Sequence, residues 1–216
     1  MEYNFLSLSI IVVFLTVVFL HVTRKSTTVI ALYVFQSIAI TLILLSSFFE
    51  TGSWPLIVIA FLTFAIKAVV APLFFTQLIK KHHLTFSAST YLNMPTSLLA
   101  VALLTALSHS SIFAPLAAIV SENASIITLS IAVILIALLL IINHKDIVSQ
   151  AIGILSLENG IVAFSVFSGL EQAPGLQVGI MFNIVIWVVI ASIFASMIYR
   201  HFGSLETTTM KHLKEE

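Results

Sequence analysis

The sequence predicts an all-α, polytopic membrane helix bundle with seven transmembrane helices. Three observations carry that expectation. Hydrophobic residues make up 60% of the 216, charged residues only 8%, and the mean hydropathy is +1.16, proportions that a soluble domain of this length could not bury in one core. Apolar runs of about 20 residues, enough to cross a bilayer core, recur along the chain. The runs are continuous rather than alternating with period two, which excludes a barrel and leaves helices as the way to satisfy backbone groups in lipid.

The first run covers residues 4–22. It follows Glu2, where a secretory signal would carry positive charge, and no small-residue cleavage pattern comes after it, so it reads as a retained helix. The second, 27–48, begins after Arg24 and Lys25. The third, 55–79, starts at Pro55 and stops before Lys80, Lys81, His82 and His83. The fourth, 96–120, is interrupted by "TALSHSSIFAP", where Ser108, His109, Ser110 and Ser111 precede Pro115, so a broken or kinked helix is expected. The fifth and sixth, 125–143 and 147–170, lie either side of Lys145, and the seventh, 176–200, ends at Arg200. Residues 1–200 thus read as a single transmembrane domain and 201–216 as a polar cytoplasmic tail.

Charge in the connections tests the count. Arg24, Lys25, Lys80, Lys81, Lys145, Arg200, Lys211 and Lys214 fall in alternate connections, while the intervening ones hold only Glu50, Glu122 and Glu171, with Glu2 at the start. The positive-inside rule then places the N-terminus outside and the tail in the cytoplasm. The chain has no cysteine, which removes disulfides, thiolate nucleophiles, iron–sulfur ligation and cysteine zinc sites together. Net charge is zero and no basic block exceeds two residues, so nucleic acid is not suggested as a partner. No cofactor, metal or catalytic residue is expected, and lipid is the solvent.

Two ionisable residues remain at helix centres, Lys67 and Glu158. Each lies 12 or 13 residues from the polar residues or proline bounding its run, hence near the bilayer midplane. An intramembrane charge of this kind costs about 2.5–3.5 kcal/mol at a helix centre and marks a functional site by default. Two readings stay open: the opposite charges simply pin the third helix to the sixth, or they belong to a proton relay. Gln36 and His109 fall at similar depth. His109 reads either as a hydrogen-bonded packing residue or as a third relay member, since imidazole passes protons through both nitrogens. Haem ligation is disfavoured, because a second imidazole at that depth is missing and His21 lies near the inner boundary. Pro72, five residues past Lys67, deletes a helix hydrogen bond and predicts a bend at the working depth. Gly153 and Gly160 share one face of the sixth helix and admit a close neighbour, while Glu158 addresses another side.

The stretch "INHKDIVSQAIGILSLENGIVAF" (142–164), a basic turn leading into a helix with a central glutamate, resembles the K-type membrane subunit of respiratory complex I. The whole chain resembles the longer component E of hydrogenase-4 and formate hydrogenlyase type complexes, on the Lys67 to Pro72 spacing and on "LENG", Leu157 to Gly160. On that pattern the last three helices, about 125–200, are the K-like part. The resemblance implies a non-redox subunit of an ion-translocating oxidoreductase, in the cell inner membrane, placed among other membrane subunits including antiporter-like ones. It departs from the K-type pattern in the seventh helix, which has no second buried acid and offers only Asn183 as a comparable polar group, leaving Lys67 as the candidate second charge. The alternatives are a subunit of a multisubunit cation/proton antiporter, a structural or assembly scaffold, and an independent transporter.

Overall fold

The computed structural model describes residues 2–81, 89–118, 120, 124–170 and scattered positions between 178 and 197. These residues form an all-helical bundle. Its helices are α1 (Glu2–Val22), α2 (Ser26–Thr51), α3 (Trp54–Thr63), α4 (Ala71–Lys81), α5 (Met94–Ser108), α6 (Ala114–Ala117), α7 (Ala124–Asn143) and α8 (Ile147–Phe167), with a π-helical segment, Phe64–Val70, joining α3 to α4 without a break. Five spans among them are long and apolar enough to cross a membrane: Phe5–Val22, Ser26–Thr51, Trp54–Gln77, Ala124–Asn143 and Ile147–Phe167. The chain is a multi-pass membrane protein.

Local chemistry sets the boundaries. Gly52 takes φ +65° and donates its N–H to the Phe48 carbonyl, closing α2. Pro55 occupies the first turn of α3, where no intrahelical donor is needed. Asn93 caps α5 by accepting the Thr96 N–H at 3.0 Å, and Asp146 caps α8 by accepting that of Ser149 at 2.6 Å.

The fourth run departs from a single span. Only α5 is regular, and its 15 residues rise about 22 Å, short of a hydrocarbon core of about 30 Å. The cause lies in the polar cluster. Ser108 Oγ donates to the Thr105 carbonyl at 2.8 Å, and the His109 ring bonds the same carbonyl at 2.9 Å, so side chains compete with the backbone ladder and turns follow through Phe113. Pro115 then opens the short α6. Most of the seventh run, Asn183 and the tail lie outside the described residues.

Packing follows from the apolar faces. The longest contact is α7 against α8; α1 packs on α2 and α7, α2 on α3 and α8, and α5 on α7 and α1. Gly153 and Gly160 allow the close approach of α7: a Cβ on Gly153 would stand 2.8 Å from Ile141 Cγ1, and one on Gly160 2.9 Å from Ile134 Cγ1. The buried apolar residues divide into two clusters. One gathers Ile10, Val13, Ile40, Ile43, Ile59, Ile136 and Val162, towards the bundle end that holds Gly52; the other gathers Leu20, Val29, Tyr33, Ala71, Phe75, Ile152 and Leu155, towards the end that holds Arg24, Lys25 and Lys145.

At that basic end Asn143 binds the first turn of α5 and the segment preceding it. Its Oδ1 accepts the Leu92 N–H at 2.8 Å, its Nδ2 donates to Ser97 Oγ at 3.0 Å, and its carbonyl accepts the Tyr91 N–H at 2.9 Å. Next to it, the buried His144 donates from Nδ1 to the Leu140 carbonyl at 3.0 Å, and its ring lies 6.0 Å from that of His21. Burial holds the His144 imidazole below its ordinary pKa, against the opposing effect of the carbonyl. The unfolded chain then binds the extra proton, so this contribution is present above about pH 6.5 and is lost as pH falls through the window below it. Thermal midpoints in detergent are expected to decline on acidification, and His144→Gln is expected to flatten the decline; an unchanged pH curve for the variant would contradict the assignment.

Candidate functional site

Three helices change character at one level. On α2 the basic-end cluster ends at Tyr33 and the other begins at Ala39, with the fully buried Gln36 and Ser37 between them. Along α3, the π segment and α4 the two clusters stop at Ala60 and start at Ala71, and buried Thr63 and Lys67 lie between. On α8 they are separated by Ser156, Glu158 and Asn159. A polar layer thus crosses the bundle between two apolar ones.

Lys67 is at the centre of this layer. Its residue is 0% exposed, and Nζ lies 3.9 Å from Glu158 Oε2 and 2.8 Å from Asn159 Oδ1. Asn159 Nδ2 in turn donates to Gln36 Oε1 at 3.2 Å. The chain of contacts ties the π segment, α8 and α2 together. Glu158 keeps 12% of its side chain exposed, and its Oε2 has no hydrogen-bond partner among the described residues, nor do Tyr33 Oη, Gln36 Nε2 or Ser156 Oγ. So much unpaired polarity in one buried layer is poor structural economy, because an unmatched buried donor or acceptor costs about 1–3 kcal/mol.

The backbone at Lys67 is distorted for an identifiable reason. Pro72 has no N–H and its ring would collide with the carbonyl four residues earlier. Upstream of the proline, where the sequence alone predicts a bend, the helix widens, and the Ala71 N–H reaches back five residues to the Ile66 carbonyl. Lys67 sits in the middle of that π segment, a backbone form that recurs at functional sites.

The sequence-derived candidates are therefore partly assembled. Lys67, Glu158 and Gln36 share one site, and Pro72 shapes it. His109 does not join them among the described residues: it is exposed at the end of α5, with Nδ1 bonded to the Thr105 carbonyl and 3.2 Å from Ser108 Oγ. Asn183 lies outside the described residues. Asn159, to which sequence reasoning gave no role, is the direct partner of the lysine. The signal was present in "LENG", since an amide beside the glutamate offers a neutral acceptor to a group that has only donors. No cluster of three or more potential metal ligands occurs among the described residues.

The fold and the polar layer together define a class: a multi-pass helical membrane protein with an ion pair enclosed between apolar layers. A comparison with protein families narrows it. Residues 125–216 match the family model of NADH-ubiquinone/plastoquinone oxidoreductase chain 4L, a stretch that includes all of α7 after Ala124, α8, Glu158 and Asn159 but neither Lys67 nor Gln36. No curated protein and no solved structure matches the chain.

Proposed function

We propose that this chain is a non-redox membrane subunit of an ion-translocating, complex I-like oxidoreductase, in which Lys67 and Glu158 belong to a coupling axis at mid-membrane depth. The observation that carries the reading is the pair itself, 3.9 Å apart with the lysine wholly enclosed. A buried pair kept only for stability is a weak device, because desolvation consumes most of its attraction. A pair kept at a separation longer than a hydrogen bond, beside unpartnered hydroxyl and amide groups, is instead suited to redistributing charge. The family match of the α8 region supports an oxidoreductase setting.

Within that class, the Lys67 to Pro72 spacing and "LENG" favour component E of a hydrogenase-4 or formate hydrogenlyase type complex. The gathering of Arg24, Lys25 and Lys145 at one bundle end favours an inner-membrane topology with that end cytoplasmic. Antiporter-like subunits are the proposed neighbours, and the mobile species is a proton or sodium ion. His109 stays outside the axis because its imidazole is engaged in its own turn.

Glu158→Gln tests the reading in the assembled complex reconstituted into vesicles, with ion uptake and electron transfer followed together. The ions moved per electron are expected to fall about tenfold or more, while assembly and electron transfer change far less. Equal loss of all three would reduce the carboxylate to a structural part.

A further inference from the structure

The lysine does not lean on the carboxylate. At 2.8 Å it donates to Asn159 Oδ1, whereas Glu158 Oε2 at 3.9 Å is beyond hydrogen-bond reach. We infer that Asn159 is a positioning residue that docks the Lys67 ammonium on a neutral acceptor, held off Glu158, and that Gln36 locks the amide in the orientation this requires. The inference rests on the coupling-axis reading for its use, but its geometry is independent of which ion moves.

The polarity of the chain follows from donor and acceptor counting. An ammonium carries only donors, so the Asn159 atom that meets it must be the oxygen. The Asn159 amide then turns its NH2 to Gln36, whose oxygen accepts at 3.2 Å, and the Gln36 NH2 is left at the end of the chain without a partner among the described residues. Gln36 is 0% exposed, and a buried amide keeps its favourable orientation by matching the groups that face it, here by turning its oxygen to the Asn159 NH2. A rotated Asn159 would aim NH2 at NH3+, which the Gln36 oxygen opposes. Docking on a neutral group leaves the carboxylate uncommitted, and a torsional swing of the long lysine stem carries its charge from one acceptor to the other inside the layer. The stem departs from the π segment, a widened turn whose backbone pattern is already off the α register.

The ammonium resonance of Lys67 in solid-state nitrogen NMR of the intact complex, identified by its loss in the Lys67→Met, Glu158→Leu double variant, reads the docking directly. Asn159→Leu is expected to shift it, Asn159→Asp to keep it in the hydrogen-bonded range, and Gln36→Met to shift it in the same sense as Asn159→Leu but less. Glu158→Gln is expected to move it less than Asn159→Leu. Together with the shift, Asn159→Leu is expected to lower the ions moved per electron about tenfold, the scale of a lost charge-assisted hydrogen bond, and Asn159→Asp to recover part of the resonance position without recovering that ratio. An unmoved resonance in Asn159→Leu, or a larger movement in Glu158→Gln, overturns the docking; an unmoved resonance in Gln36→Met overturns the lock. If Asn159→Leu fails to assemble, Asn159→Ser, which shortens the acceptor while keeping it polar, takes its place with the same expected shift. Because the resonance is read without ion movement, a failed Glu158→Gln coupling test and a failed docking test remain separate results.

Discussion

Lys67→Met is expected to be the most damaging single change in the bundle. It leaves Glu158 as an unmatched, largely buried acid and removes the partner of Asn159 Oδ1, a loss on the order of 3–5 kcal/mol for breaking one side of a buried pair. Low yield of the assembled complex and a lowered thermal midpoint are the expected readouts. Adding Glu158→Leu to the same chain removes the stranded charge, and apolar replacement of a whole buried pair is often neutral or stabilising. The double variant is therefore expected to recover much of the assembly and none of the coupled ion movement. That contrast separates the two roles a buried pair can have. A double variant that assembles and still builds a full ion gradient would leave the pair with a purely structural part and the proposed function without its support.

The second large effect is expected at the glycines of α8. Gly160→Leu would push a side chain into α7, where even a Cβ would meet Ile134 Cγ1 at 2.9 Å, Val133 Cγ1 at 3.0 Å and the Ile134 backbone nitrogen at 3.2 Å. The side-chain carbons could rotate away, but the backbone nitrogen belongs to a packed helix and cannot. Overpacking of this kind costs about 1–3 kcal/mol and at times more, and here it would also tilt the helix that presents Glu158 and Asn159. Gly160→Leu is expected to lower the thermal midpoint and the ions moved per electron together, and Gly153→Leu, held against Ile141 and farther along the helix from the acid, to lower mainly the midpoint. Measuring both quantities on both variants checks the assignment. A Gly160→Leu protein of unchanged stability would mean that α7 and α8 are not held by this contact.

Much of this was legible in the residues. Continuous apolar runs announced helices, and five of the expected spans appear nearly as drawn, because length and hydropathy are what a bilayer selects. Lys67 and Glu158 stood out as the only charges at helix centres, and Gly153 and Gly160 as a close-packing face. The fourth run breaks at the polar cluster where a broken or kinked helix is expected, because Ser108 and His109 bond back to the Thr105 carbonyl. The π segment before Pro72 was not foreseen, because a proline states that a hydrogen bond is missing, not how the preceding turns rearrange. Asn159 was passed over for a similar reason. Its importance lies in a direction across the bundle, set by which helices meet, and the spacing along α8 says nothing of whether α2 or the π segment stands opposite.

The division of the buried apolar residues into two clusters has a consequence for electrical behaviour. Each cluster acts as a dielectric plug, one above and one below the charged belt, so apolar packing separates the belt from either face along the helices described. A subunit built this way should be tight at rest: vesicles carrying the complex without its electron donor should hold an imposed voltage as long as empty ones do. Current would then require one plug to be loosened at a time, which is how a gate avoids becoming a short circuit.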